Sequence, residues 1–148
     1  MKKKIQRMII SSVIVNKGKV LILQRSKDED VFPGLWEIPG GGVEFGESVE
    51  DALIRETKEE TGLNVSILQP VNVFDYLREK EDLLVHAIQL NFIVKMIGGK
   101  IKMSDEHDNF AWITAKDMEK YNLSKETKNV INLSFDLIKN EKCKQNMK

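Results

Sequence analysis

Hydrophobic and polar positions alternate differently along the chain, and the changes predict its order of strands and helices. Residues 8–15 and 19–25 are two runs rich in strand-forming side chains, and residues 16–18, Asn-Lys-Gly, are typical of a hairpin turn between them. The first run is apolar on both faces, as expected for a central strand covered on both sides. The chain is therefore predicted to begin with a hairpin that contains a central strand.

The next periodic segment has helical spacing. Ser48 is a suitable N-cap with Asp51 three residues later, and Gly62 is suited to the C-terminal cap. At 100° per residue the apolar side chains share one sector of the helical wheel, which should pack on the core. The members of this sector are Val49, Ala52, Leu53 and Leu63.

Strand patterns return after the helix. Residues 64–74 predict a strand, residues 75–82 a charged hairpin loop, and residues 83–97 the longest strand, followed by a turn at residues 98–99. One face of the long strand is apolar and should be core. The other face is partly polar and, through Gln89 and Asn91, is suited to lining a cleft.

The last part of the chain is more helical. Residues 110–114 predict a strand, residues 115–120 a short helix, and residues 127–139 an amphipathic helix. Helices thus follow strands in both halves of the chain, which favours an α/β architecture in layers. We expect a single domain over residues 1–140 and a polar, flexible tail over residues 141–148.

Composition narrows the class of protein without naming an activity. The chain has 148 residues, of which 41% are hydrophobic and 31% charged, as in an ordinary globular domain. Lys plus Arg equals Asp plus Glu at 23 each, so net charge gives no reason to expect a nucleic-acid polymer or a membrane as partner. The only cysteine, Cys143, excludes an intrachain disulfide and favours a reducing, cytoplasmic location. With two distant histidines, His86 and His107, it does not make a zinc site.

The predicted helix carries negative charge on the wrong side. Glu56 and Glu60 fall inside the apolar sector and Glu59 falls on its edge, at spacings of three and four residues. Like charges at this spacing destabilise a helix by roughly 0.2–0.5 kcal/mol per pair, and burial increases the cost. A hard divalent cation with oxygen ligands is the simplest compensation.

A solvated acidic face is the competing interpretation of these glutamates. It is the usual explanation of a Glu run, but this helix already has a polar face formed by Asp51, Arg55 and Lys58. A purely solvated helix would then have to carry charge on both of its sides. The cation site explains the pattern with one assumption.

These residues resemble the Nudix box. The family pattern has a glycine, a glutamate, an Arg-Glu pair, a Glu-Glu pair, a second glycine and an aliphatic residue at fixed spacing. The single departure is Thr57 at an aliphatic position. A Trp-x-x-Pro-Gly-Gly segment at residues 36–41, before the box, is also similar to the family. The matching box positions are Gly41, Glu47, Arg55, Glu56, Glu59, Glu60, Gly62 and Leu63.

The resemblance implies the Nudix fold, a mixed β-sheet sandwiched between α-helices, and hydrolysis of a nucleoside diphosphate linked to another group. It also implies that three box glutamates, Glu56, Glu59 and Glu60, hold Mg²⁺ or Mn²⁺ with the carbonyl of Gly41. Family members often carry a further metal-site glutamate in the loop at residues 104–109. Glu106 is the best match there, with Asp105 and Asp108 as rivals.

The sequence leaves the catalytic roles partly open. Glu56 is the first choice for the general base and Glu106 the second. On the wheel Arg55 projects away from the metal sector, and we expect it to pair with Glu47 and hold the glycine loop against the helix.

Contacts with the substrate are less well defined by the sequence. The candidates are Arg25, Phe32, Gln89, Asn91 and Asn122. Arg25 is equally consistent with a surface residue and with a phosphate or base contact. Trp36 is expected to pack rather than to stack on a base.

The markers of several Nudix subfamilies are absent from this chain. The proline of ADP-ribose enzymes is replaced by Arg78-Glu79, and Tyr76 lies too early to match the tyrosine of dinucleoside polyphosphate enzymes. What remains resembles the MutT-type nucleoside triphosphate pyrophosphohydrolases, acting as a monomer or homodimer on a (d)NTP or an oxidised (d)NTP. Alternatives are an ADP-ribose, sugar-nucleotide or dinucleoside polyphosphate pyrophosphatase, or a nucleotide-sensing module without activity.

Overall fold

The computed structural model describes the backbone of residues 1–146 and the side chains of residues 1–141. A 3₁₀ helix spans Ala115–Lys120, between the last strand and the last helix. The strands and α-helices, in chain order, are β1 (Lys3–Asn16), β2 (Lys19–Arg25), β3 (Trp36–Glu37), β4 (Gly40–Gly42), α1 (Val49–Thr61), β5 (Leu63–Lys80), β6 (Leu83–Gly99), β7 (His107–Ile113) and α2 (Lys125–Asn146).

All seven of these strands belong to one mixed sheet, with β1 near its centre. The strand order is β3-β2-β1-β6-β5, while β4 pairs with β1 and β7 pairs with β2. The β1–β6 pair is parallel and the other pairs are antiparallel. The predicted hairpin is present, with Lys17 and Gly18 at φ 51° and 75°, as a tight turn between twisted strands requires.

Alternate side chains of β2 enter two separate cores. Leu21 and Leu23 pack in the cluster that contains Ala52 and Leu53 of α1. Val20 and Ile22 pack in a second cluster, which contains Val130 and Ile131 of α2. The sheet is thus covered by a helix on each face, and the predicted α/β/α sandwich is confirmed.

The sheet is longer at one end than the hydrophobic pattern indicated. β1 begins at Lys3 rather than at residue 8, and β5 continues to Lys80, so the charged loop predicted at residues 75–82 is wrong. Both extensions pair with β6, from Lys3↔Leu83 and Lys80↔Leu83 onward. Backbone pairing with a neighbour can hold a strand whose side chains are solvated, which hydrophobicity does not reveal. The turn is confined to residues 81–82, with Glu81 at φ 51°.

Two other boundaries also differ from the expectation. Gly98 and Gly99 are not a free turn, because they pair with Asn64 and Leu63 at the end of β6. Helix α2 runs to Asn146, beyond the predicted end at residue 139. The flexibility of residues 141–148 stays a prediction, and its last two residues, Met147 and Lys148, lie outside the described residues. No helix among the described residues is long and apolar enough to cross a membrane.

Candidate active site

Helix α1 begins and ends where its sequence predicted. The Ser48 Oγ accepts a hydrogen bond from the Asp51 N–H at 3.0 Å, and Gly62 ends the helix at φ 77°, where its N–H donates to the Lys58 carbonyl. Ala52 and Leu53 are fully buried. The apolar sector therefore faces the core, and the glutamates in the same sector are carried inward with it.

Glu60 is the most deeply placed of these acids. Only 8% of its surface is exposed, and its Oε2 accepts a hydrogen bond from the Gly40 N–H at 3.0 Å. Burial, with the added repulsion of Glu37, Glu106 and Glu56, raises the pKa of Glu60 to about 9, although the Gly40 hydrogen bond lowers it. A carboxyl group in this setting stabilises a nearby cation as soon as its proton is lost.

Glu56 lies against the glycine strand β4. Its Oε1 accepts a hydrogen bond from Arg55 Nη1 at 2.8 Å. Burial raises the pKa of Glu56, although the Arg55 hydrogen bond lowers it. A Cβ atom at Gly41 would overlap the Glu56 carboxylate. A side chain at this box position would therefore push the Glu56 carboxylate, the far end of a flexible side chain, away from the strand, so glycine keeps the acid against β4.

Arg55 is hydrogen-bonded to the loop before the helix, as expected. Its Nε and Nη2 donate to the two carboxylate oxygens of Glu47 at 2.7 and 2.9 Å, and Nη2 also donates to the Gly42 carbonyl at 3.1 Å. This bidentate contact lowers the pKa of Glu47 to about 2 and raises that of Arg55.

The expectation that Arg55 projects away from the metal sector is wrong. Its Nη1 lies 2.8 Å from Glu56 and 3.3 Å from Glu59. A helical wheel records only the direction of the Cα–Cβ bond, whereas a guanidinium at the end of a long side chain reaches the next residue and the next turn. Glu59 itself is largely exposed, with 57% of its side chain accessible.

The loop before β7 brings Glu106 to the helix. Ligand atoms of Glu60, Glu106 and His107 all lie within 4.8 Å of one another. The rival Asp108 instead accepts a hydrogen bond from the Lys27 N–H at 3.2 Å. The structure thus brings Glu60 of the box together with Glu106, the loop residue that the resemblance favoured.

Two further residues at this site, His107 and Glu37, were not predicted as site residues from the sequence. His107 has a fully buried side chain, and its Nε2 lies 3.0 Å from Glu37 Oε1. Glu37 also accepts from Arg25 Nη1 at 3.2 Å. The only sequence signal for His107 was its place directly after Glu106, and for Glu37 its place before the glycines of β4. Their meeting depends on the pairing of β2 with both β3 and β7.

The predicted substrate contacts are more scattered. Arg25 is not a free surface residue, because it donates to Glu29, to Glu37 and to the Val31 carbonyl. Phe32 is 64% exposed at the tip of its loop, with φ 49°.

The two amides of β6 form their own network. Asn91 is fully buried and is hydrogen-bonded to Gln89 and Asn72 at 2.9 Å each, and its role as a substrate contact stays a prediction. Gln89 lies 3.5 Å from the Tyr76 hydroxyl. Asn122 is exposed, and its carbonyl accepts from the Trp36 N–H at 3.0 Å. Trp36 packs edge-on against Tyr121, as a packing residue would.

The donor set at the helix fits a divalent cation. Glu60 and Glu106 place like charges near one another, and among the described residues neither forms an ion pair. Oxygen ligands are the ones that Mg²⁺ and Mn²⁺ take most readily. The sandwich fold and this acidic helix behind a glycine strand are the features that the resemblance to the Nudix box implies for a hydrolase that cleaves phosphoanhydride bonds.

The chain belongs to the NUDIX domain family, because the sequence model of that family matches residues 6–133. It is 34% identical over 138 residues to the nucleoside triphosphatase NudI of Escherichia fergusonii, covering 86% of this chain and 96% of that protein. This chain is also 34% identical over 137 residues to the nucleoside triphosphatase NudI of Escherichia coli K12, again covering 86% of this chain and 96% of that protein. The family, the fold and the enzyme class predicted from the sequence are confirmed.

Solved structures agree on the fold. A MutT NUDIX hydrolase from Burkholderia pseudomallei superposes with a TM-score of 0.75 at 25% identity, covering 86% of this chain and 97% of that one. An ADP-ribose pyrophosphatase from Streptococcus suis superposes with a TM-score of 0.68 at 21% identity, covering 88% and 90%. At such identity the second likeness shows the fold alone, and enzymes named for different substrates share it.

Proposed function

We propose that this protein hydrolyses nucleoside triphosphates to a nucleoside monophosphate and pyrophosphate, with Mg²⁺ as its cation. The observation that carries the proposal is the complete acidic set: Glu56 and Glu60 lie at the glycine strand, and Glu106 meets Glu60 from the opposite loop. The nucleoside triphosphatases at 34% identity support the choice of substrate class.

In this reaction water attacks phosphorus at the α–β anhydride, and the bond from that phosphorus to the bridging oxygen breaks. When bound, Mg²⁺ would neutralise phosphate charge and acidify a coordinated water. Glu56, Glu59, Glu60 and Glu106 are the side chains proposed to hold it, together with the carbonyl of Gly41.

Proton transfer and positioning are assigned to side chains of the protein. Glu56 or Glu106 accepts the proton of the attacking water at a carboxylate oxygen. Arg55 fixes one oxygen of Glu56 and, through Glu47, holds the loop before α1 in place. Arg25 reaches Glu37 rather than solvent, so a phosphate contact would have to compete with that ion pair.

The substrate is tested by comparing kcat/KM across a panel at fixed Mg²⁺. The panel contains NTPs, dNTPs, 8-oxo-dGTP, ADP-ribose, sugar nucleotides and dinucleoside polyphosphates, with Glu60→Gln protein as the blank. We expect the triphosphates to lead and to yield pyrophosphate rather than phosphate. A higher value for ADP-ribose or a dinucleoside polyphosphate would replace the proposed substrate, and nucleotide binding without turnover would indicate a sensing module.

The general base is tested separately. We propose Glu56, so Glu56→Gln should lose more kcat than Glu106→Gln and should also lose the acidic limb of the pH–rate profile. If Glu106→Gln loses far more rate and removes that limb, the roles are reversed. Substrate binding, followed by nucleotide protection of the melting temperature, serves as the control for folding in both variants.

A further inference from the structure

Only one ring nitrogen of His107 has a partner within the described part of the chain. The side chain is fully buried, Nε2 lies 3.0 Å from Glu37 Oε1, and Nδ1 is buried with no hydrogen-bond partner among the described residues. A buried polar atom left unpaired is unfavourable, because it has lost its hydrogen bonds to water without replacing them. The other histidine, His86, has no such atom, because its two nitrogens contact Asp75 and Gln6.

The surroundings of Glu37 determine which nitrogen carries the proton. Glu37 Oε1 also receives a hydrogen bond from Arg25 Nη1 at 3.2 Å, so it is an acceptor and His107 Nε2 must donate to it. In the neutral ring Nδ1 then presents a lone pair. A metal-binding histidine usually donates its other N–H to a carboxylate in this way, which fixes the ring and its tautomer.

The unpaired nitrogen belongs to a residue that already lies among the acids. One ligand atom each of His107, Glu60 and Glu106 falls within a 4.8 Å group. We propose that Nδ1 of His107 is a ligand of a divalent cation that Glu60 and Glu106 also hold, with Glu37 positioning the ring. The proposal rests on the proposed function only in placing this cation at the same active site.

One nitrogen among oxygen ligands changes which cation the site prefers. Mg²⁺ takes oxygen ligands almost exclusively, whereas imidazole suits first-row transition cations. The site should therefore bind Mn²⁺ or Co²⁺ more tightly than carboxylates alone would. Substitution of His107 by Gln should therefore weaken Mn²⁺ binding more than Mg²⁺ binding.

Pulsed electron paramagnetic resonance of the Mn²⁺-loaded protein tests the ligand directly. The chain has two histidines, so His86→Gln is a matched control for His107→Gln. We expect a ¹⁴N coupling of a coordinated imidazole in the wild type and in His86→Gln, and its loss in His107→Gln. Growth with ¹⁵N-histidine should replace the ¹⁴N coupling of the wild type by a ¹⁵N coupling. This result does not depend on the folding of any variant.

Calorimetric titration gives the second measurement. Loss of the ligand should lower Mn²⁺ affinity at least roughly 10-fold, the loss that removing a hydrogen-bond partner of a ligand already causes, with a smaller change for Mg²⁺. Saturated Mn²⁺ without nitrogen coupling in the wild type overturns the proposal and leaves triphosphate hydrolysis intact, since that is measured with Mg²⁺ and substrate. Nitrogen coupling in a protein that hydrolyses no triphosphate would instead uphold the ligand and overturn the proposed substrate.

Discussion

Two glutamates near the opposite ends of helix α1 lie in opposite electrostatic environments. Glu47, before the helix, is held by both arms of the Arg55 guanidinium, which lowers its pKa to about 2. Glu60, in the last turn, is buried without an ion pair among the described residues and has a pKa of about 9. Both belong to one short motif, yet one charge is stabilised by the fold and the other is opposed by it.

The difference between the two environments separates a structural role, that of Glu47, from a role in cation binding, that of Glu60. A paired charge keeps the glycine loop and the helix in register, and it gains nothing from an added cation. An unpaired acid raises the free energy of the metal-free protein but gives a cation a reason to bind. Functional sites commonly retain such unfavourable groups, and surrounding structure compensates their cost.

The strongest test removes the unpaired acid. Glu60→Gln keeps an acceptor for the Gly40 N–H but loses the charge. We expect kcat/KM with Mg²⁺ to fall on the order of 10²–10³-fold, as when one group that stabilises transition-state charge is lost. The control is Glu50→Gln, an exposed acid in the first turn of the same helix, which should leave turnover unchanged. Undiminished turnover in Glu60→Gln would remove this residue from the site.

A smaller loss should follow when the paired side is disturbed. Arg55→Lys keeps one positive charge but cannot bind both oxygens of Glu47 and also reach Glu56. Because it touches carboxylates rather than the cation, we expect activity to fall roughly 10–100-fold, with weaker Mg²⁺ affinity. Metal titration by calorimetry distinguishes this from direct ligand loss, since saturating Mg²⁺ should recover part of the rate.

The two acids should also affect stability in different pH ranges. The folded-state pKa of Glu60 is raised from 4.5 to about 9, so the folded chain retains a proton that the unfolded chain releases between those values. The free energy of unfolding of metal-free wild type should therefore fall as pH rises from about 4.5 to 9, relative to Glu60→Gln. Urea unfolding of both proteins in chelator at several pH values measures this difference.

Glu47 should show the reverse. Its folded-state pKa is lowered from 4.5 to about 2, so its stabilising effect is complete above 4.5 and is lost as pH falls toward 2. Relative to Glu47→Gln, wild type should lose its advantage in unfolding free energy across that range. A Glu47 contribution that grew with acidification would contradict the pairing with Arg55.

The smallest effect on activity concerns the one departure from the box pattern. Thr57 is buried on the same helix, and its Oγ1 lies 2.7 Å from Ser12 Oγ in β1. Thr57→Val should leave kcat/KM unchanged but destabilise folding by about 1–3 kcal/mol, because the Ser12 hydroxyl is left unpaired. Thr57→Val combined with Ser12→Ala should recover most of that loss. An additive loss in the double variant would show that the hydroxyl pair does not carry the coupling.

The helix and its acids could be predicted almost completely from the sequence. Caps, apolar sector and glutamate spacing are local features, and a helix of fixed period converts them directly into faces. The structure confirms Ser48, Gly62 and the inward position of Glu60. The strand ends were predicted poorly, since residues 3–7 and 75–80 have polar patterns and owe their conformation to partners in β6.

The sequence by itself determined the family, the layered fold, and the kind of chemistry that its acidic helix serves. Tertiary structure alone decided which distant residues join that helix. Glu37 and His107 are 70 positions apart, and they meet because β2 pairs with β3 on one side and β7 on the other. Periodicity reports which way a side chain faces within its own element, whereas contacts between elements depend on strand order and register, which no local pattern encodes.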